Sequence, residues 1–178
     1  MSSATLVVGG ARSGKSAFAE RLVADSGREP VYLATAEALD AEMAERIAHH
    51  RDRRGPAWRT VEEPLDLAGA IARHDRPDTF ILVDCLTLWL SNLMAAGADI
   101  EAETERLCAT IPAVNGALVL VGNEVGLGIV PERADVRAYR DSHGRLNQAV
   151  ATACDQVILM ACGLPLRLKP NPDTRFTI

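Results

Sequence analysis

The sequence predicts a three-layer α/β fold, a mostly parallel sheet with helices on both faces. Two observations carry this. Short, wholly apolar runs alternate with longer helical stretches along the chain, as expected of doubly buried strands joined by helical crossovers. The first such run leads into a glycine-rich turn that opens directly onto a helix, the unit at which α/β folds bind phosphate.

Thr5–Val8 is the first strand, entering the glycine loop and then a helix from about Lys15 to Ser26. Pro30–Ala34 makes a second strand. From Asp40 to about Arg53 the chain is rich in Ala, Glu, Met and Arg and reads as helix. Trp58–Val61 forms a short strand and Leu65–His74 a helix. Thr79–Val83 is β-branched and apolar, a buried strand that ends on Asp84. Leu86–Ala96 and Ile100–Ile111 follow as helices. Ala117–Val121 is another buried strand, delivering Gly122-Asn123-Glu124. Ala134–Ala153 is a long helix, and Gln156–Ala161 and Leu164–Leu168 complete the sheet. No repeat, low-complexity tract or linker divides the chain, so residues 1–178 are expected to form one domain, with the segment from Pro170 onward outside the core.

Composition bounds the partners. With 48% hydrophobic and 24% charged residues the balance is that of a globular domain. A net charge of −5 gives no electrostatic support for binding nucleic acid or an anionic membrane, and aromatics at 4% are too few for stacking platforms on single strands. No apolar run reaches membrane-spanning length, and Ala4–Val8 is too short for a secretory segment. The expected location is the cytoplasm, with Cys85, Cys108, Cys154 and Cys162 as free, largely buried thiols. Among 19 basic residues only Lys15 and Lys169 are lysines, which makes Lys15 conspicuous.

Lys15 stands in Gly9-Gly10-Ala11-Arg12-Ser13-Gly14-Lys15-Ser16, a G-x-x-x-x-G-K-S phosphate loop in its proper strand–helix setting. The glycines let successive backbone N–H groups converge on phosphate oxygens, helped by the positive end of the helix. Lys15 is expected to reach the β and γ phosphates and the Ser16 hydroxyl to ligate Mg²⁺. The expected fold is thus a P-loop NTPase of RecA-like type binding a purine nucleoside triphosphate. Asp84 falls at the carboxyl edge of the sheet, where it can hold Mg²⁺ through water. The other reading of Asp84 is a helix N-cap for the segment from Leu86.

The stretch Ala44 to Gly55 carries His49 and His50, followed by Arg51-Asp52-Arg53-Arg54. On a helix, Met43, Ile47 and His50 share a stripe facing the protein while His49 turns away. Three readings compete. A neutral imidazole can act as nucleophile toward a phosphoryl or nucleotidyl group. Glu45 and His49 can ligate a metal. Or the segment is a solvated helix face. Asn123 and Glu124 can orient a substrate hydroxyl or act as base, the alternative being a capped loop. The last long helix, with Arg137, Tyr139, Arg140, Asp141, His143, Arg145 and Asn147, is too polar for core packing on every face and is expected to face substrate or another subunit in part.

In combination these segments resemble the bifunctional adenosylcobinamide kinase / adenosylcobinamide-phosphate guanylyltransferase family of cobalamin biosynthesis. The resemblance runs from Leu6 to Lys169. It rests on Gly9–Ser16, the histidine pair within Arg46–Arg51, W-R-T-V-E at Trp58–Glu62, N-E-V-G-L-G-I-V-P at Asn123–Pro131, and Arg140–Gln148. The third and fourth are the most specific.

The resemblance implies a two-step transferase. One step phosphorylates the aminopropanol hydroxyl of adenosylcobinamide with ATP or GTP. The other moves GMP from GTP to adenosylcobinamide phosphate through a guanylyl-histidine, releasing pyrophosphate. By matching motif it implies His50 as nucleophile, with His49 as the alternative. It assigns nucleotide contacts to Gly9–Ser16, Ala34, Thr35, Ala36, Arg51, Asp52, Arg53, Arg54, Glu62 and Asp84. Thr35 is suited to donate to a phosphate, and Glu62 to accept from guanine or ribose. Relatives often carry Glu in place of Asp84, a longer reach with the same charge. The family also implies a homo-oligomer, with a trimer as the expected assembly. Two other readings are a single-activity P-loop kinase and a nucleotide-dependent switch; Gly122-Asn123-Glu124 lacks the N-K-x-D pattern expected of a GTPase switch.

Overall fold

The computed structural model describes residues 3–36 and 55–170. The strands are β1 (Ser3–Gly9), β2 (Glu29–Ala34), β3 (Arg59–Glu62), β4 (Thr79–Asp84), β5 (Ala117–Asn123), β6 (Gln156–Ala161) and β7 (Leu164–Lys169). The helices are α1 (Lys15–Ala24), α2 (Leu67–His74), α3 (Leu86–Ala95), α4 (Ile100–Thr110) and α5 (Ala134–Ala153), with a 3₁₀ turn at Ile111–Ala113. The helix expected over Asp40–Arg53 lies outside the described residues.

One seven-stranded sheet runs in the order β3-β2-β4-β5-β1-β6-β7. Every pairing is parallel except that of β6 with β7. The apolar strands bury both faces, and the period of two sorts their side chains. Leu6, Val8, Ile81, Val83, Leu118 and Leu120 enter one core with residues of α2, α3, α4 and α5. Val7, Leu82, Val119 and Val121 enter the other, against Ala19 and Val23 of α1. Full burial of one such Leu or Val side chain is worth roughly 1.5–3 kcal/mol. The expected α/β layering is therefore observed.

The ends of elements differ from the sequence expectation for local reasons. α2 starts at Leu67 rather than Leu65 because Asp66 is its N-cap, accepting from the Gly69 amide. α4 is capped in the same way by Asp99, which accepts from Ala102 N at 3.1 Å. α1 stops at Ala24, and the Ser26 hydroxyl donates to the Val23 carbonyl at 2.6 Å. β5 runs two residues further than expected because its pairing with β1 continues to Gly9 opposite Asn123. Gly122 permits this extension: a Cβ there would lie 3.1 Å from Asn147 Oδ1, so the bare backbone lets α5 approach.

The second lysine has a structural task. Lys169 Nζ donates to the carbonyls of Ala151 (3.0 Å), Thr152 (2.9 Å) and Cys154 (2.6 Å) at the end of α5. Three converging acceptors match the three N–H bonds of an ammonium and satisfy carbonyls that the helix leaves open.

Candidate active site

Because β1 to β6 run parallel, their carboxyl ends form a single row. Ala34 lies opposite both Glu62 and Asp84, Asp84 opposite Val121, and Gly9 opposite both Asn123 and Met160. The topology thus brings Glu62, the Ala34-Thr35-Ala36 turn, Asp84, Asn123-Glu124 and the phosphate loop to one edge of the sheet. His49, His50, Arg51, Asp52, Arg53 and Arg54 lie outside the described residues.

The phosphate loop is shaped by its glycines. A Cβ on Gly9 would sit 2.5 Å from the Met160 carbonyl oxygen and 2.8 Å from Ser13 Oγ, so no larger residue fits. Gly14 adopts φ 93° as the N-cap of α1 and offers no side-chain cap. The first turn of α1 holds no acidic residue, which leaves its amides and dipole to an external anion. The loop is braced on either side: the Glu124 amide donates to the Gly9 carbonyl at 2.9 Å, and the Gly163 amide to the Ser13 carbonyl at 3.2 Å.

Lys15 is buried and curls over this loop, its Nζ 2.7 Å from the Gly10 carbonyl oxygen and 3.5 Å from Ser13 Oγ. Burial pulls its pKa below the usual lysine range, while the negative charge of Asp84 pulls it back up. The ammonium and the Asp84 carboxylate therefore feel each other across the edge. Ser16 and Asp84 are both half-buried. The N-cap of α3 is Cys85, without a side-chain cap bond, so the reading of Asp84 as a helix cap is overturned.

Two expectations are corrected in detail. Thr35 is fully buried, and its hydroxyl donates to the Cys85 carbonyl at 2.7 Å while accepting from the Cys85 amide at 2.8 Å. Its proton is taken up by the protein, so the side chain does not offer it to a phosphate. The Thr35 carbonyl accepts from Asn92 Nδ2 at 2.8 Å. Glu124, considered as a base, accepts from the Gly126 amide at 2.8 Å through Oε1, an arrangement that favours the capped-loop reading of that oxygen. Glu62 ends β3 with an exposed side chain, as a contact to a nucleotide base or ribose requires.

Sequence reasoning did not anticipate a polar cluster between α3, α5 and β5. His143, on a helix expected to face substrate or another subunit in part, is completely buried, with Nε2 2.9 Å from Thr87 Oγ1. Thr87 Oγ1 also accepts from the Asn123 amide at 2.9 Å, and the Tyr139 hydroxyl donates to the Thr87 carbonyl at 2.9 Å. Asn147 Nδ2 donates to the Asn123 carbonyl at 3.1 Å. The signal was present: Tyr139, His143, Leu146 and Val150 recur at i, i+4, i+7 and i+11, one face of a helix, and the last three are buried. Arg140, on the same helix, donates to the Gly126 carbonyl at 2.7 Å and anchors the loop after β5. In that loop Leu127 and Ile129 are 87% and 97% exposed.

No helix among the described residues is long and apolar enough to cross a membrane. Nor do the described residues contain a cluster of three or more His, Cys, Asp or Glu side chains able to hold a metal by themselves.

Residues 5–168 match the family described as cobinamide kinase / cobinamide phosphate guanyltransferase. The bifunctional adenosylcobalamin biosynthesis protein CobP of Pseudomonas aeruginosa is 47% identical over 169 residues, covering 94% of this chain and 98% of that protein. The bifunctional adenosylcobalamin biosynthesis proteins CobU of Escherichia coli and Salmonella typhimurium are each 41% identical over 179 residues, covering 92% of this chain and 98% of theirs. Among solved structures, the RadB recombinase matches with a TM-score of 0.53 at 15% identity, over 88% of this chain and 73% of that one. The flagellar accessory protein FlaH from Methanocaldococcus jannaschii matches at 0.51 with 13% identity, over 88% and 70%. At such identity the two structures speak to the fold alone, which is RecA-like.

Proposed function

The chain belongs to the cobinamide kinase / cobinamide phosphate guanyltransferase family and is a nucleotide-using transferase, and from that premise we propose that it carries out both steps of the family on one domain. It phosphorylates adenosylcobinamide with ATP or GTP. It then transfers GMP from GTP to adenosylcobinamide phosphate through a guanylyl-histidine on His50, with His49 as the alternative carrier.

The observation that carries the reading is the buried Lys15 ammonium, held inside the Gly9–Ser16 loop within electrostatic reach of Asp84. In the kinase step the loop amides and Lys15 grip the β and γ phosphates. The aminopropanol hydroxyl attacks the γ phosphorus, and the nucleoside diphosphate leaves. In the transferase step the His50 imidazole attacks the α phosphorus of GTP, and pyrophosphate leaves. A phosphate oxygen of adenosylcobinamide phosphate then attacks the guanylyl group, forming the diphosphate bond and freeing the imidazole.

Ser16 and Asp84 supply hard oxygen donors suited to Mg²⁺, and an ion with one carboxylate, one hydroxyl and the nucleotide's own phosphates needs no all-protein cage. Held by Ser16 and Asp84, Mg²⁺ would supply positive charge to offset that of the phosphates. Arg51, Arg53 and Arg54 add positive charge to neutralise a triphosphate, and Ala34, Ala36, Asp52 and Glu62 complete the nucleotide contacts. Thr35 shapes the Ala34–Ala36 turn, since its hydroxyl is engaged with Cys85 and its amide with the Asp84 carbonyl. A homo-oligomer, with a trimer as the expected assembly, in the cytoplasm completes the proposal.

Incubation with α-³²P-labelled GTP and Mg²⁺, then denaturing electrophoresis, tests it. The expected result is an acid-labile, base-stable label that is lost in His50→Ala. Absence of label from protein that binds GTP would return the reading to a single-activity kinase.

A further inference from the structure

His143 is a titratable side chain with no exposure at all and no part in the steps above. Its surroundings give it one. Nε2 lies 2.9 Å from Thr87 Oγ1, and Thr87 Oγ1 lies 2.9 Å from the Asn123 amide. The next amide along, that of Glu124, donates to the Gly9 carbonyl at 2.9 Å. An unbroken run of short polar contacts therefore leads from the interior of α5 to the first residue of the phosphate loop. Thr87 stands in the first turn of α3, three residues after Asp84, and its hydroxyl also hydrogen-bonds Cys85. The same side chain thus touches the strand end that carries Asp84 and the strand end that carries Asn123.

A hydroxyl can donate or accept, so the Nε2–Oγ1 bond forms whichever ring nitrogen holds the proton. What the imidazole supplies is a fixed direction for the Thr87 rotor. Nδ1 has no partner among the described residues. A buried nitrogen left unpaired costs stability, a cost that an apolar side chain filling the same space would not carry.

We propose that His143 is a positioning residue for phosphoryl transfer: through Thr87 it holds the Asn123–Glu124 backbone, and with it Gly9, in register with Asp84. The inference rests on the kinase reading of that edge. A shift of the loop by a fraction of the reach of a phosphate contact costs rate far more than affinity, because the transferring group must lie in line.

The test compares the full-length wild type with His143→Leu and His143→Gln. Gln brings its terminal amide to the place of Nε2, whereas Leu fills the space without a polar atom. For cobinamide phosphorylation, His143→Leu is expected to lower kcat about tenfold or more, with the nucleotide KM within about twofold, and His143→Gln to recover most of the rate. Hydrogen exchange at the Asn123 amide is expected to quicken in Leu and not in Gln. A fully active Leu variant, or equal loss in Leu and Gln, overturns the proposal. If the wild type does not phosphorylate cobinamide, the kinase reading falls. The exchange data then decide the positioning role alone, unchanged Asn123 protection in Leu overturning it. If His143→Leu does not fold, His143→Met fills the space without a ring nitrogen, with the same outcomes expected and the same outcomes decisive.

Discussion

Thr35 and Cys85 bind each other in both directions: the Thr35 hydroxyl donates to the Cys85 carbonyl at 2.7 Å and accepts from the Cys85 amide at 2.8 Å. Both residues are buried, and between them they fasten the turn after β2 to the end of β4, where Asp84 stands. Thr35→Val keeps the volume but leaves a buried N–H and a buried carbonyl without this partner. The expected loss is about 1–3 kcal/mol, measured by urea unfolding, and Thr35→Ser is expected to recover most of it. Retained stability in Thr35→Val would show that other groups satisfy the Cys85 backbone.

Lys15 combines burial with a neighbouring carboxylate. Lys15→Ala removes the buried cation of the phosphate loop and is expected to lower both cobinamide phosphorylation and guanylyl transfer, by about 10²–10³ in kcat where one triphosphate site serves both. Parallel assays of the two steps check this. Loss of one step alone would mean that GTP for guanylylation is held elsewhere.

Lys169 closes α5 by a different use of the same chemistry. Lys169→Met keeps the stem and removes the three-way contact to Ala151, Thr152 and Cys154. An expected destabilisation of about 1–3 kcal/mol follows from the loss of charge-assisted bonds. Lys169→Arg is expected to recover little, since a planar fork cannot present three donors to one converging point. Full recovery by Arg in a thermal melt would show that charge at the helix end, not the tripod, carries the effect.

The two lysines also show what the sequence could and could not disclose. Lys15 was legible because a phosphate loop fixes its neighbours within eight residues, and local spacing is what a linear reading sees. Lys169 was conspicuous but mute, since its acceptors sit on another element and are backbone groups that any residue could supply. The strands were legible because burial on both faces leaves continuous apolar runs such as Ile81-Leu82-Val83. Their ends were less so: β5 continues through Gly122 and Asn123 only because β1 extends alongside them. Thr35 looked like a phosphate donor since its hydroxyl stands at the ligand edge, and only the fold reveals that Cys85 reaches it first. His143 does not stand out in the sequence because the many polar residues of its helix hide the stripe from Tyr139 to Val150.

Stability against pH tests the burial of the histidines and separates them from the carboxylates. Burial drives the His143 pKa below the ordinary histidine value, with the negative charge of Glu124 opposing. Tyr139 and Cys85, the other titratable groups facing the cluster, stay neutral there because burial pushes them up to about 12 and about 11. His74 is lowered by burial first and then by Arg59, Arg73 and Arg76. A group whose folded pKa is depressed binds fewer protons folded than unfolded, so its stabilising effect is full above the unfolded value and is lost as pH falls. Unfolding free energy is therefore expected to decline as pH drops below about 6.5, from His143 and His74 together. A second decline is expected below about 4. There, hydrogen bonds from the Asn115 and Gly116 backbone and the Asn115 side chain outweigh the upward pull of burial on Asp75 and leave its pKa lowered. His143→Gln removes one of the two groups acting in the upper window and none in the lower. Urea unfolding of the variant from pH 8 to pH 3 should show a shallower first slope and an unchanged second one. An unaltered first slope would mean that His143 takes up its proton in the folded protein as readily as in the unfolded chain, contrary to an imidazole sealed between α3 and α5.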